Sequence, residues 1–161
     1  MNEIIDINEY VKKVIEELKV LDEFFEVQIY GGEFNSDEQN DLKRRMSKTG
    51  KSNALVSFVE ALETSLDHPN PRNETMTCVF VIYILNIADK GDNGYSSNAF
   101  IHGQEVLKLI KNNRFGFKIG KQPKILSLRN IGSEVKQNKE IAKMALVWTQ
   151  DMVLASSNKL R

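Results

Sequence analysis

Apolar residues recur along this chain in two rhythms, and each change of rhythm marks an element. Ile7, Val11, Val14, Leu18 and Leu21 step by three and four, while Glu9, Lys12, Lys13, Glu16, Glu17 and Lys19 fill the other side. That spacing predicts an amphipathic packing helix, with Asp6 placed to cap its first amides. Residues 24–30 alternate as a short strand and stop at Gly31-Gly32. Ser36 and Gln39 have capping-box spacing and start a short helix whose clear apolar contacts are Leu42 and Met46. Lys43-Arg44-Arg45, within that helix, reads as a solvated surface.

The stretch 53–62 (NALVSFVEAL) suits helix or strand by composition, and its centre of Val56, Phe58 and Val59 favours a strand. Pro69 and Pro71 make 64–74 a loop. Thr75–Ile87 is apolar at nearly every position, as expected of a central strand covered on both faces. Cys78, Phe80, Ile82 and Ile84 then share one face, and Val79, Val81 and Tyr83 the other. After Ser96-Ser97, the positions Phe100, Gly103, Val106, Leu107 and Ile110 mark a helix that Lys111–Arg114 and Gly116 terminate. Residues 124–131 and 141–154 read as two more strands, joined by the polar stretch Gly132–Glu140 as a long exposed hairpin loop.

The order is α-β-α-β-β-α-β-β. Strand pairs without an intervening helix predict an α+β fold: a mostly antiparallel or mixed sheet of about five strands flanked by two to three helices. One domain over 1–155 and a frayed tail at 156–161 are expected. The length of 161 residues, 41% of them hydrophobic, suits one ordinary core. No apolar stretch approaches the roughly 20 residues of a membrane helix, and the first residues lack a signal-peptide pattern. The one cysteine, Cys78, excludes an internal disulfide and a cysteine-based zinc site, and reads as a small buried hydrophobe. A soluble, cytosolically made protein is expected.

Charge changes this picture. Net charge is zero, yet residues 1–107 carry 10 basic and 19 acidic side chains, a balance of −9, and residues 108–161 carry 12 and 3, a balance of +9. Between Glu105 and Glu134 there is no acid, while Lys108, Lys111, Arg114, Lys118, Lys121, Lys124 and Arg129 all fall there. Such segregation suits a basic face for nucleic acid, or a copy docking on a different side of the next copy. It also fits two halves that neutralise each other inside one fold.

Catalytic chemistry finds little support. The loop Asp89–Gly94 lacks the Gly-Lys-Ser/Thr of a phosphate loop and sets Asp89 and Asp92 against any phosphate. Counted as a calcium loop from Asp89, its third position is Gly91 and its twelfth is Phe100, so two required ligands are missing. His68 and His102 have no metal-ligand spacing, no serine stands in a GxSxG elbow, and Glu60 and Glu63 are close only in sequence. No catalytic residue, metal or cofactor is expected.

Four blocks resemble a known family: Ile4–Leu21, "NALVSFVEA" (53–61), "TMTCVFVIYILNIADKGDNGYSSNAFIHGQEVLKLIKN" (75–112) and "EIAKMALVWTQDMVL" (140–154). They are similar to the tail terminator, or tail completion, proteins of Mu-like phages and contractile phage-tail-like particles. The resemblance spans nearly the whole chain. It implies a structural protein made in the host cytoplasm and carried in the virion tail or tail-like particle. It implies a homohexameric ring that caps the tail tube and sheath, ends their growth and meets neck proteins. It implies no enzyme activity. The basic segment matches no motif of the family, so contacts there rest on charge alone.

The candidate interface is Lys118, Lys121, Lys124 and Arg129 on the basic side, with Asp89, Asp92, Asn93 and Tyr95 in the loop 89–96. Complementary faces of this kind suit a head-to-tail ring. Within the ring reading, DNA in the lumen is a candidate partner of the basic side; the alternative function is a nucleic-acid-binding or neck/head-completion protein that uses segment 108–129. Its weakness is a lack of surface aromatics beyond Phe115 and Phe117.

Overall fold

The computed structural model describes residues 3–21, 26–29, 53–64, 75–89, 95–136 and 139–154, together with 37, 40, 41 and 44. Its elements are β1 (Ile4–Ile5), α1 (Ile7–Leu18), β2 (Glu26–Ile29), β3 (Asn53–Thr64), β4 (Thr75–Asp89), α2 (Tyr95–Ile110), β5 (Lys124–Lys136) and β6 (Lys139–Leu154). Four long strands and two short ones make one mixed sheet in the order β1-β6-β4-β3-β2, with β5 also on β6. β5, along 139–149, and β1, along 153–154, share the same side of β6. The fold is α+β, as the pattern predicts. β1 and β2 pair in parallel with β6 and β3; every other pairing is antiparallel. Residues 37, 40, 41 and 44 are helical, where the second helix was expected.

The alternating faces of β4 explain the core. Cys78, Phe80, Ile82 and Ile84 are buried in one cluster with Tyr10, Val11, Val14, Ile15 and Leu18 of α1, Val106 and Ile110 of α2, and Met144, Leu146 and Trp148 of β6. Both α1 and α2 therefore lie on one face of the sheet. On the other face Val81 and Ala145 are buried together against Tyr83 and Val147. Cys78 behaves as the expected hydrophobe: its thiol pKa is pushed up to about 12, mainly by burial and secondarily by the Asp151 charge.

Aromatic rings weld α1 to this face. Tyr10 lies 4.9 Å from Phe80, 5.6 Å edge-on from Phe115 and 5.9 Å from Phe117, while Phe80 stacks on Trp148 at 5.2 Å. The Trp148 indole N–H donates to the Tyr10 hydroxyl at 3.4 Å, and burial pushes that phenol's pKa well up. Asp6 caps α1 as expected, accepting from the Asn8 amide at 2.8 Å. Gly103 lets α2 settle close: a Cβ there would stand 2.9 Å from Leu128 Cδ1 and 3.6 Å from Ile84 Cδ1.

Three expectations need correction or restriction. Gly132–Glu140 is not a long loop, because β5 runs to Lys136 and β6 begins at Lys139. Gly132 does not end the strand. Its φ of +145° accommodates a bulge in which its amide donates to Asn130 Oδ1 at 2.8 Å. Phe100 was placed on the packing stripe of its helix but is 45% exposed; Gly103, Val106 and Ile110 carry the buried side. Of the expected loop 64–74 only Thr64 is described, as the end of β3, and the tail 156–161 lies outside the described residues.

Candidate assembly interface

Sheet order turns the charge split into a spatial one. Of the acidic half, β2, β3 and β4 occupy one side of the sheet; β5 and β6 of the basic half occupy the other, joined there by the two-residue β1 from the acidic half. The two edges are more polarised still. From Val20 to Leu42, the stretch that contains β2, there are seven acids and no base. From Val106 to Ser133, which contains most of β5, there are seven bases and no acid. Four strand spacings separate β2 from β5, roughly 19 Å at about 4.8 Å each.

The loop from α2 to β5 shows why the basic side chains face outward. Phe115 and Ile119 are buried and Phe117 half-buried, whereas Arg114, Gly116, Lys118 and Gly120 between them are exposed. This is a period of two without a strand: the inward residues close over Tyr10 and leave the cations in water. Asn112 and Phe115 adopt positive φ (62° and 52°), and Gly116 at 82° completes the turn. The loop is pinned at several points. Glu3 and Lys118 exchange hydrogen bonds, the Glu3 amide to the Lys118 carbonyl at 3.0 Å and the Lys118 amide to Glu3 Oε2 at 3.1 Å. Asn113 Nδ2 donates to Glu17 at 2.6 Å.

Lys121 is also committed within the chain. Its ammonium donates to Asp151 Oδ2 at 2.9 Å, while Thr77 Oγ1 donates to Oδ1 of the same carboxylate at 2.6 Å. Burial alone would raise the Asp151 pKa, but the Thr77 and Lys121 bonds outweigh it and hold the carboxyl below its usual range. The same contact raises the Lys121 pKa. Buried Gln150 adds a bond from its amide nitrogen to the Lys121 carbonyl at 3.0 Å.

The expected interface residues therefore divide. Lys118, Lys124 and Arg129 are exposed and have no ion-pair partner among the described residues. Lys121 belongs to the Asp151 pair. Asp89 ends β4 opposite Lys139, and Tyr95 opens α2, while Asp92 and Asn93 lie outside the described residues. Lys124 pairs with Thr149, which pairs with Val79. Asp89 stands ten residues farther along β4, roughly 33 Å at about 3.3 Å per residue. Lys124 and Asp89 thus lie toward opposite ends of the sheet, with Arg129, opposite Ala145 and so level with Tyr83, between them.

Two residues that charge reasoning missed stand on β5 itself. Leu126 and Ile131 occupy the register shifts against β6 and are 50% and 41% exposed. The signal was in the sequence: Asn130-Ile131-Gly132 has the side-chain acceptor and the glycine that such a bulge needs. Phe115 and Phe117, the aromatics a single-stranded nucleic acid would stack on, are drawn toward Tyr10 instead. Among the described residues no three His, Cys, Asp or Glu gather as metal ligands, and no helix is long and apolar enough to cross a membrane.

No family model and no curated protein matches the chain. Solved structures do match; one, whose name states no activity, is 12% identical over 89% of this chain and 92% of its own, at a TM-score of 0.44. A likeness of that size carries no functional argument.

Proposed function

We propose that this protein is a structural subunit that closes head to tail into a ring and caps a phage-type tail tube and sheath, ending their polymerisation and joining tail to neck. The observation that carries the reading is the pair of opposite sheet edges, one set in an acid-only stretch and the other in a base-only stretch. A cyclic assembly uses two different surfaces on each copy, and a molecule with complementary edges supplies them. The number of copies, six, and the identity of the tube are what the resemblance of the four sequence blocks to tail terminators implies. The chemistry of the chain fits a scaffold: its burial is spent on a rigid sheet, and its polar residues pin loops.

The test is to add purified protein to growing tail tubes and image them by negative stain. Tubes of uniform length ending in a ring support the proposal. Tubes that grow unchanged, beside protein that stays monomeric at low salt, overturn it. A monomer that instead retards duplex DNA at low salt favours the nucleic-acid alternative.

A further inference from the structure

We infer that the β5 edge of one copy docks on the β2 edge of a second copy, with Leu126 and Ile131 as apolar contacts and Lys124 and Arg129 beside them facing acids of the β2 stretch. The inference rests on the ring reading and names the surfaces that would meet. Among the described residues, β2 pairs only with β3 and β5 only with β6, so each has one side without a strand partner; β5 shares the outer side of β6 with the two-residue β1. Both bulges of β5 occur where a large aliphatic side chain remains in water, at Leu126 and Ile131. Lys124, Arg129 and Asn130 around them are exposed.

An edge with bulges is a poor template for continuing a sheet through backbone bonds. The bulges aim side chains outward instead, so this contact is one of side chains, apolar at its centre and cationic at its rim. The partner must then be anionic. A second copy fits by charge complementarity, since β2 contains Glu26 and its flanking stretch adds acids such as exposed Asp37 without a single base. Two β5 edges would set cation against cation, so the contact is heterologous and leads to a ring or a filament rather than a two-fold dimer.

Charge reversal tests this without relying on loss alone. Lys124→Glu with Arg129→Glu should raise the midpoint concentration of self-association about ten-fold or more, because like charges then meet. Glu26→Lys with Asp37→Lys should do the same from the other side. The chain that carries all four substitutions should associate like the parent. An equimolar mixture of the two double variants should also associate, since each reversed edge meets its complement, and its rings should contain even numbers of copies. Sedimentation velocity reads the masses, and thermal melts show that each variant is folded. If a reversed chain does not fold, Lys124→Gln with Arg129→Gln takes its place and should give a smaller rise. Rings in the parent, with no rescue in the four-fold variant or the mixture, would overturn this contact and leave the ring reading standing. A parent that never self-associates would overturn both. Double variants that assemble normally but lose DNA binding would assign Lys124 and Arg129 to nucleic acid and overturn the contact.

Discussion

Beneath the helices, Tyr10, Phe80 and Trp148 are sealed, each at most 1% exposed, in a cluster of touching rings. On β5, four spacings from β2 across the same sheet, Leu126 and Ile131 stand about half in water among lysine and arginine. The covered face spends its apolar residues on holding one chain together. The β5 edge keeps apolar residues that contribute little to folding, at positions where bulges turn them outward. Stability and association should therefore be separable by substitution.

The largest effect belongs to the covered face. Trp148→Ala removes the ring stacked on Phe80 and the donor to Tyr10, and should cost about 3–5 kcal/mol by chemical denaturation. Salt should not change that loss. Val81→Asp probes the opposite face, where Val81 is 2% exposed beside Ala145. An unpaired carboxylate buried there should cost about 2–4 kcal/mol; a variant that melts like the parent would show that this face is open.

Asp151→Asn lies between the two regions, since it releases Lys121 and weakens the bond from Thr77. It should cost about 1–2 kcal/mol at neutral pH. Because the folded carboxyl titrates below its ordinary value, its contribution is complete above the usual carboxylate range and is lost as pH falls through the folded pKa. The gap between parent and variant should narrow as pH falls below about 4 and close only below the folded pKa. A gap that persists there would assign the effect to packing. The smallest effect on stability is expected at the edge: Lys124→Glu with Arg129→Glu should change unfolding by less than about 0.5 kcal/mol while weakening association. Reversing Lys121 is a poor probe of the edge, since it would press a second carboxylate on Asp151.

The fold was legible where periodicity was long. The α1 stripe, the two faces of β4 and the strand over 53–64 all follow from spacing and β-branched content. The predicted stripe left out Tyr10 and Ile15, both buried on α1, although at i+3 and i+8 from Ile7 they share the face of Val11 and Val14. β1 has two residues and no period to read. The hairpin was misjudged because Gly132 looks like a strand terminator until its bond to Asn130 is seen. The candidate interface was half legible. Composition showed the acid-free segment, but only topology separates β5, within it, from β2, within the base-free stretch, by the width of the sheet. The commitment of Lys121 to Asp151 joins residues 30 apart and leaves no local signature.

The central claim is that unlike edges of neighbouring copies attract. Sedimentation velocity of the unmodified protein across a salt series tests it most directly. Screening shortens from about 10 Å at 0.1 M to about 3 Å at 1 M ionic strength. The account predicts an assembled species at low salt that shifts to monomer as salt rises, with the melting temperature of the subunit little changed. A monomer at every salt concentration, or an assembly indifferent to salt, would contradict it.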